Sequence, residues 1–211
     1  MYTPPAFAEN RIDVLHDAIR NAGLATLVTM TADGLIANHV PLLLEPDNGP
    51  NGTLVGHLAR ANPQIAATDR SVQAMVVFQG TNGYISPSLY ATKALTEKVV
   101  PTWNYLAIHA YGTLETFDDP APLLDVVTRL TEHYESPRAM PWKVTDAPAD
   151  FVQGMLRAIV GIRIPIARLE GKAKMSQNRP QADHAGIVDG LNSEGRADLA
   201  AQVARAIAER A

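Results

Sequence analysis

Residues 171–179 read Gly-Lys-Ala-Lys-Met-Ser-Gln-Asn-Arg and carry the densest set of ligand-binding side chains in the chain. Lys172, Lys174 and Arg179 are cations. Between them Ser176, Gln177 and Asn178 place three neutral hydrogen-bonding groups in a row. Most charge runs are solvated loops. A run that mixes cations with hydroxyl and amide donors also suits an anionic ligand with polar edges.

Two other segments have comparable chemistry. In Gly56-His57-Leu58-Ala59-Arg60-Ala61-Asn62-Pro63 a strand pattern ends and a helix signal begins. Asn62 is placed to cap that helix, with Pro63 at its first position. Gly56 allows close backbone approach, and Arg60 brings a cation to the free amides of a helix start. Together these make a phosphate site. The competing reading is a solvated strand-helix turn with an incidental arginine. Val100-Pro101-Thr102-Trp103-Asn104-Tyr105 holds one of only two tryptophans. The Trp103 indole suits covering a planar ligand, or packing in a core or dimer interface. Three such segments, far apart in sequence, point to one site assembled by the fold.

Other reactive patterns are missing. The six histidines show no paired metal spacing, so no metal site is expected. His39 and His57 lie near strand ends, where a hydrogen-bonded structural role is the commoner one. His39 belongs to Asn38-His39-Val40-Pro41, where the proline removes a ladder donor and leaves backbone polar groups for a ligand. There is no Walker loop, G-x-G-x-x-G, nucleophile elbow or H-E-x-x-H. Carboxylates are scattered, so catalytic residues stay unassigned.

The elements that must position these residues are mostly short strands. Apolar spacing predicts a helix over 9–22 with Gly23 as its stop. Strands are predicted at 24–30 and 35–44, joined by an Asp33-Gly34 turn, then at 53–58 and 73–78. After an irregular middle, one long strand is predicted over 104–117, helices over 121–134 and 149–157, and a strand over 158–169. Pro165 in that last strand suggests an edge or a bulge. The end is helical from about Arg196. Strands with hairpin signals and inserted helices argue for a small β-barrel with peripheral helices. The expected organisation is a domain over 1–180 and a C-terminal helical extension over 181–211.

Composition narrows the classes. With 211 residues, 46% of them hydrophobic, the chain can build a sizeable core. A net charge of −4 offers no global basic field for nucleic acid. The absence of cysteine rules out disulfides and thiolate chemistry. No secretory signal pattern and no long apolar window is seen, so a cytoplasmic protein without membrane spans is expected.

Taken together, the motifs resemble the PaiB-like family of FMN-binding negative transcriptional regulators. The matching residues are Met1-Tyr2 with Pro4 and Phe7, Asn38-His39-Val40-Pro41, Gly56-His57 with Ala59, Arg60, Asn62 and Pro63, Gly83-Tyr84-Ile85-Ser86-Pro87 with Tyr90, Val100 to Tyr105, and Gly171-Lys172 with Lys174, Ser176, Gln177 and Asn178. Gln64 and Leu89 depart from the family pattern at positions where an aromatic is expected. The resemblance implies a split β-barrel similar to pyridoxamine-phosphate oxidases, a homodimer, and FMN in the groove between subunits. It points to Asn38, His39, Val40, Pro41, Gly56, His57, Arg60, Asn62, Trp103, Lys172, Lys174, Ser176, Gln177 and Asn178 as FMN-binding residues. It leaves open an FMN-dependent oxidoreductase or sensing role. Two alternatives stand beside it. One is a DNA-binding repressor, disfavoured by the charge. The other is a haem-binding split barrel with His39, His57 or His109 as axial ligand.

Overall fold

The computed structural model describes residues 1–209. It begins with a two-residue strand β1 (Ala8–Glu9) and helix α1 (Ile12–Asn21). Leu15 and Ile19 are buried along one side of α1, whereas Ile12 is exposed, so the apolar stripe is shorter than its spacing implies. Gly23 ends the helix region at φ +67°, a conformation open to glycine at little cost. Strands β2 (Leu24–Thr31) and β3 (Gly34–Pro41) form the hairpin expected from Asp33-Gly34. Their register runs from Thr31 opposite Gly34 to Leu24 opposite Pro41.

The predicted strand over 35–44 is in fact two strands, β3 and β4 (Leu43–Glu45), which join different sheets. The break falls just after Pro41, whose missing N–H cannot continue the ladder. Strand β5 (Thr53–Ala59) follows, then the single-turn helix α2 (Pro63–Ala67) with Asn62 as its cap.

The middle is more regular than its sequence implies. Strand β6 (Ala74–Ile85) runs on through Gly80 and Gly83, and a short helix α3 (Lys93–Thr96) precedes β7 (Thr102–Gly112). Both glycines lie against other side chains. A Cβ at Gly80 would meet Leu106 at 3.2 Å, and one at Gly83 would meet Leu199 at 2.7 Å. Close approach, and not a turn, accounts for them.

The expected strand over 104–117 is divided at residues 113–114 into β7 and β8 (Glu115–Phe117). Helices α4 (Pro120–Glu135) and α5 (Ala149–Arg157) lie where their periodicity places them. Strands β9 (Ile159–Pro165) and β10 (Arg168–Lys174) replace the single strand over 158–169. β9 lies between β5 and β8, so it is not an edge, and Pro165 is tolerated as its last residue. Helices α6 (Gln181–Ser193) and α7 (Ala197–Ala208) follow, both within the span 181–211 expected to be a helical extension, although apolar spacing marks only α7.

The described residues divide into two compact units. Unit 1 comprises residues 1–15, 79–108 and 170 onward; unit 2 comprises 16–78 and 109–169. In unit 1 the strands run β1-β10-β7-β6. Its apolar cluster joins Ile85, Tyr90 and Met175 to Ile187, Leu191, Leu199 and Val203 of α6 and α7. Leu89 packs there against a bare face of α6: a Cβ on Gly190 would lie 2.3 Å from its side chain. This explains the absence of a larger aromatic at position 89.

In unit 2 the strands run β6-β2-β3 and β4-β5-β9-β8, so each order is linear and leaves β3 as an edge. Leu27, Leu54, Phe78, Ile162 and Ile164 are among its fully buried side chains, and α4 adds Val126 and Leu130 against Val55.

Candidate functional site

The four segments that carry the candidate site residues divide between the units. Unit 2 holds Asn38 to Pro41 and Gly56 to Asn62; unit 1 holds Trp103 and Lys172 to Asn178.

Within unit 2 the first two segments meet. A Cβ on Gly56 would come within 2.9 Å of the Pro41 carbonyl oxygen, so the end of β3 lies directly against β5. Asn38 Nδ2 donates to Gln64 Oε1 at 2.7 Å. Gln64 is fully buried, and its Nε2 donates to the Leu27 carbonyl (3.2 Å) and to Thr29 Oγ1 (3.1 Å). An aromatic could not supply these bonds, so Gln64 ties α2 to β2 and β3 through its amide. His39 is exposed and shares a hydrogen bond with Thr26 Oγ1 at 3.1 Å. His57 differs from it: Nδ1 is buried with no protein partner, and burial pushes the imidazole below its ordinary pKa, toward the neutral form.

Arg60 is already engaged. Nε donates to the Arg157 carbonyl (2.9 Å), and Nη2 donates to the Ile159 carbonyl (2.8 Å) and Asp118 (2.9 Å). These bonds fix the plane of the guanidinium. Asn62 Oδ1 accepts from the Gln64 amide at 3.0 Å, so the start of α2 is partly satisfied by its own cap.

Unit 1 contains the more donor-rich construction. A pocket of about 310 Å³ is lined by Phe7, Val100, Thr102, Asn104, Lys174, Ser176, Asn178, Arg179 and Pro180. Lys174 Nζ donates to the Trp103 carbonyl at 2.7 Å and also contacts Thr102 Oγ1. Burial, then the charges of Lys172 and Arg179, lower the Lys174 pKa. Arg179 donates to the Val100 carbonyl at 3.1 Å, and its guanidinium lies 4.1 Å from the centre of the Tyr90 ring.

Lys172 lies farther in. It is buried, bonds the Tyr2 carbonyl at 3.0 Å and sits between the Tyr2 and Tyr105 rings. Gln177 faces its own turn: Oε1 accepts from the Met175 amide and Nε2 donates to the Ala173 carbonyl. Trp103 is half exposed and meets Tyr84 edge to face at 6.2 Å. Asn104 and Arg179, absent from the predicted FMN set, line the pocket. Arg179 is legible as the last cation of the 171–179 run; nothing local marks Asn104 as buried.

A family model described as "Putative FMN-binding domain" matches residues 1–168. The chain belongs to this family. FMN is the family's cofactor, and the resemblance read from the motifs is borne out. An uncharacterised protein of Emericella nidulans is 34% identical over 100% of this chain and 97% of its own length. The Bacillus subtilis protein named protease synthase and sporulation protein PAI 2 is 29% identical over 92% of this chain and 90% of its own.

Among solved structures, a conserved hypothetical protein of Mycobacterium tuberculosis superposes with TM-score 0.59 at 14% identity, covering 86% of this chain and 95% of that one. A Mycobacterium smegmatis protein described as FAD and heme binding superposes with TM-score 0.57 at 17% identity, covering 79% and 73%. The fold is therefore a split barrel of mainly antiparallel strands with peripheral helices, and its sheets do not close. No helix among the described residues is long and apolar enough to cross a membrane. The residues present fit FMN by their chemistry. In unit 2 an imidazole nitrogen is buried without a protein partner, and separately in unit 1 a pocket is rich in cations; either is chemistry that suits polar flavin atoms.

Proposed function

We propose that this FMN-family protein is a homodimeric flavoprotein with a redox or redox-sensing role. We place the flavin's polar contacts at the junction of β3 and β5. The observation that supports this placement is the buried, unpartnered Nδ1 of His57, next to Gly56 where β5 lies against the end of the edge strand β3, and within the matched residues 1–168. A neutral imidazole there either donates to or accepts from a polar ligand atom, depending on its tautomer. The end of β3 lies against Gly56, Asn38 bonds Gln64 of α2, and Arg60 brings a guanidinium whose plane is held by two carbonyls and Asp118. Bound FMN supplies a ring that accepts and returns electrons. The chain's own part is to hold the phosphate through Arg60, orient the ring against β3, and keep His57 neutral beside it.

The test is titration of FMN into wild-type, Arg60→Ala and His57→Ala proteins, followed by quenching of flavin fluorescence. Arg60→Ala is expected to weaken binding by roughly 1.5–3 kcal/mol, the range for a hydrogen bond to a charged group. Unchanged affinity in both folded variants would move FMN away from this junction. The absorption spectrum separates this reading from the haem alternative, since flavin absorbs broadly in the blue and haem shows an intense Soret band.

A further inference from the structure

We propose that the pocket in unit 1 is an oxyanion site that takes a phosphate monoester. Three cations, Lys172, Lys174 and Arg179, are gathered on one strand end and the following turn. Among the described residues none of them has a carboxylate partner: Lys172, Lys174 and Arg179 bond carbonyls and one hydroxyl. Positive charge collected this way, partly out of water, lacks its counter-ion.

A second, independent observation points the same way. Asn104 is fully buried and lines the pocket. Its Oδ1 accepts from Ser176 Oγ at 3.0 Å, while its Nδ2 has no partner. A buried amide donor left without an acceptor is costly, and an anionic oxygen in the pocket would satisfy it. Ser176 is held inside by a turn in which it adopts φ +61°, a conformation that a residue other than glycine adopts only when its surroundings require it. Asn178 adds a further amide at the pocket's exposed rim. Two lining cations with the Asn104 and Asn178 amide donors suit a tetrahedral dianion with several acceptor oxygens better than a single carboxylate.

Two sources share this chemistry: the phosphate of FMN itself, and a separate phosphorylated ligand. The proposal rests here on the reading above, which places the FMN phosphate at Arg60 in unit 2 and so favours a separate ligand for this pocket.

The experiment is calorimetric titration of inorganic phosphate into the full-length chain, with Lys174→Met, Arg179→Met and Asn178→Asp as variants. FMN is titrated in parallel with and without saturating phosphate. Wild type is expected to bind phosphate in the range of about 1 mM, and each variant to lose about 10-fold or more. Asn178→Asp alters only an exposed rim, so its loss reports charge and not folding. If the variants leave FMN affinity unchanged, the occupant is a separate ligand. If phosphate competes with FMN and the variants weaken both, the occupant is the FMN phosphate. Failure of the flavin reading would look different: no FMN uptake, with phosphate still bound. Absence of phosphate binding at about 10 mM, or equal binding by wild type and Asn178→Asp, would overturn the site.

Discussion

Ser176 donates its hydroxyl to Asn104 Oδ1 at 3.0 Å, across 72 residues of sequence. The bond decides which end of the buried amide is spoken for and which end is left for the pocket. Ser176→Ala removes the donor and leaves a buried oxygen unsatisfied, so it is expected to destabilise the fold by about 1–3 kcal/mol. Ser176→Gly loses the same bond but relaxes the positive φ, so its loss should be the smaller of the two. Urea denaturation of the two variants gives the comparison; an Ala variant as stable as the Gly variant would mean the turn carries no strain.

Gln64 is expected to behave as a structural tie. Gln64→Leu keeps most of the volume but abandons the Leu27 carbonyl, Thr29 and Asn38. A loss of at least about 1–3 kcal/mol follows from the polar groups left unpaired. Combining it with Asn38→Ala should cost less than the sum of the two, because both remove the same bond. Strict additivity in denaturation experiments would rule out the tie.

Two glycines of α6 should respond differently to alanine. Helix propensity alone favours either change by about 1 kcal/mol. At Gly186, however, the new Cβ would lie 2.4 Å from the Leu89 carbonyl oxygen, which is backbone. At Gly190 the obstacle is the end of the Leu89 side chain, which can rotate. Gly186→Ala should therefore lower the melting temperature more than Gly190→Ala. The reverse order would show that Leu89 is the rigid partner.

Acid should release the N-terminal tie. Arg11 donates to Glu9 through both its backbone amide and Nε, each at 2.9 Å, and its side-chain bond is the main cause that holds the Glu9 pKa below its ordinary value. A depressed carboxylate stabilises the folded state above its unfolded pKa, about 4.3, and loses that contribution as pH falls through the folded value. Because Arg11 is half exposed, the contribution is about 1 kcal/mol or less. The stability gap between wild type and Glu9→Gln should be present at neutral pH and vanish in strong acid. A gap that persisted below pH of about 2 would have another cause.

Assembly and DNA binding are tested together. The proposed flavin groove needs a second subunit, so light scattering should return twice the 22.7 kDa chain mass. A mass at the monomer value across micromolar concentrations would sink the dimer. With a net charge of −4, this chain alone is expected to show no strong sequence-selective affinity for promoter DNA at physiological salt. Nanomolar selective binding in an anisotropy titration would require Lys172 to Arg179 to be reread as backbone-phosphate contacts.

Local order was legible in the sequence because its causes are local. The Asp33-Gly34 hairpin, the Asn62 cap with Pro63, and the helices over 120–135 and 149–157 follow from turn chemistry and spacing within a few residues. The order and types of the motifs were enough to identify the family. The sequence could not show that Gly80 and Gly83 lie inside a strand, because the side chains that demand them, Leu106 and Leu199, come from distant segments. Nor could it show that Arg60 turns toward Asp118, that Gln177 folds back on its own turn, or that Asn104 is sealed beside Ser176. An arginine or asparagine reads the same in sequence whether it is committed to a carbonyl or left for a ligand. Only the tertiary structure assigns each donor its acceptor, and with it the groups that remain for function.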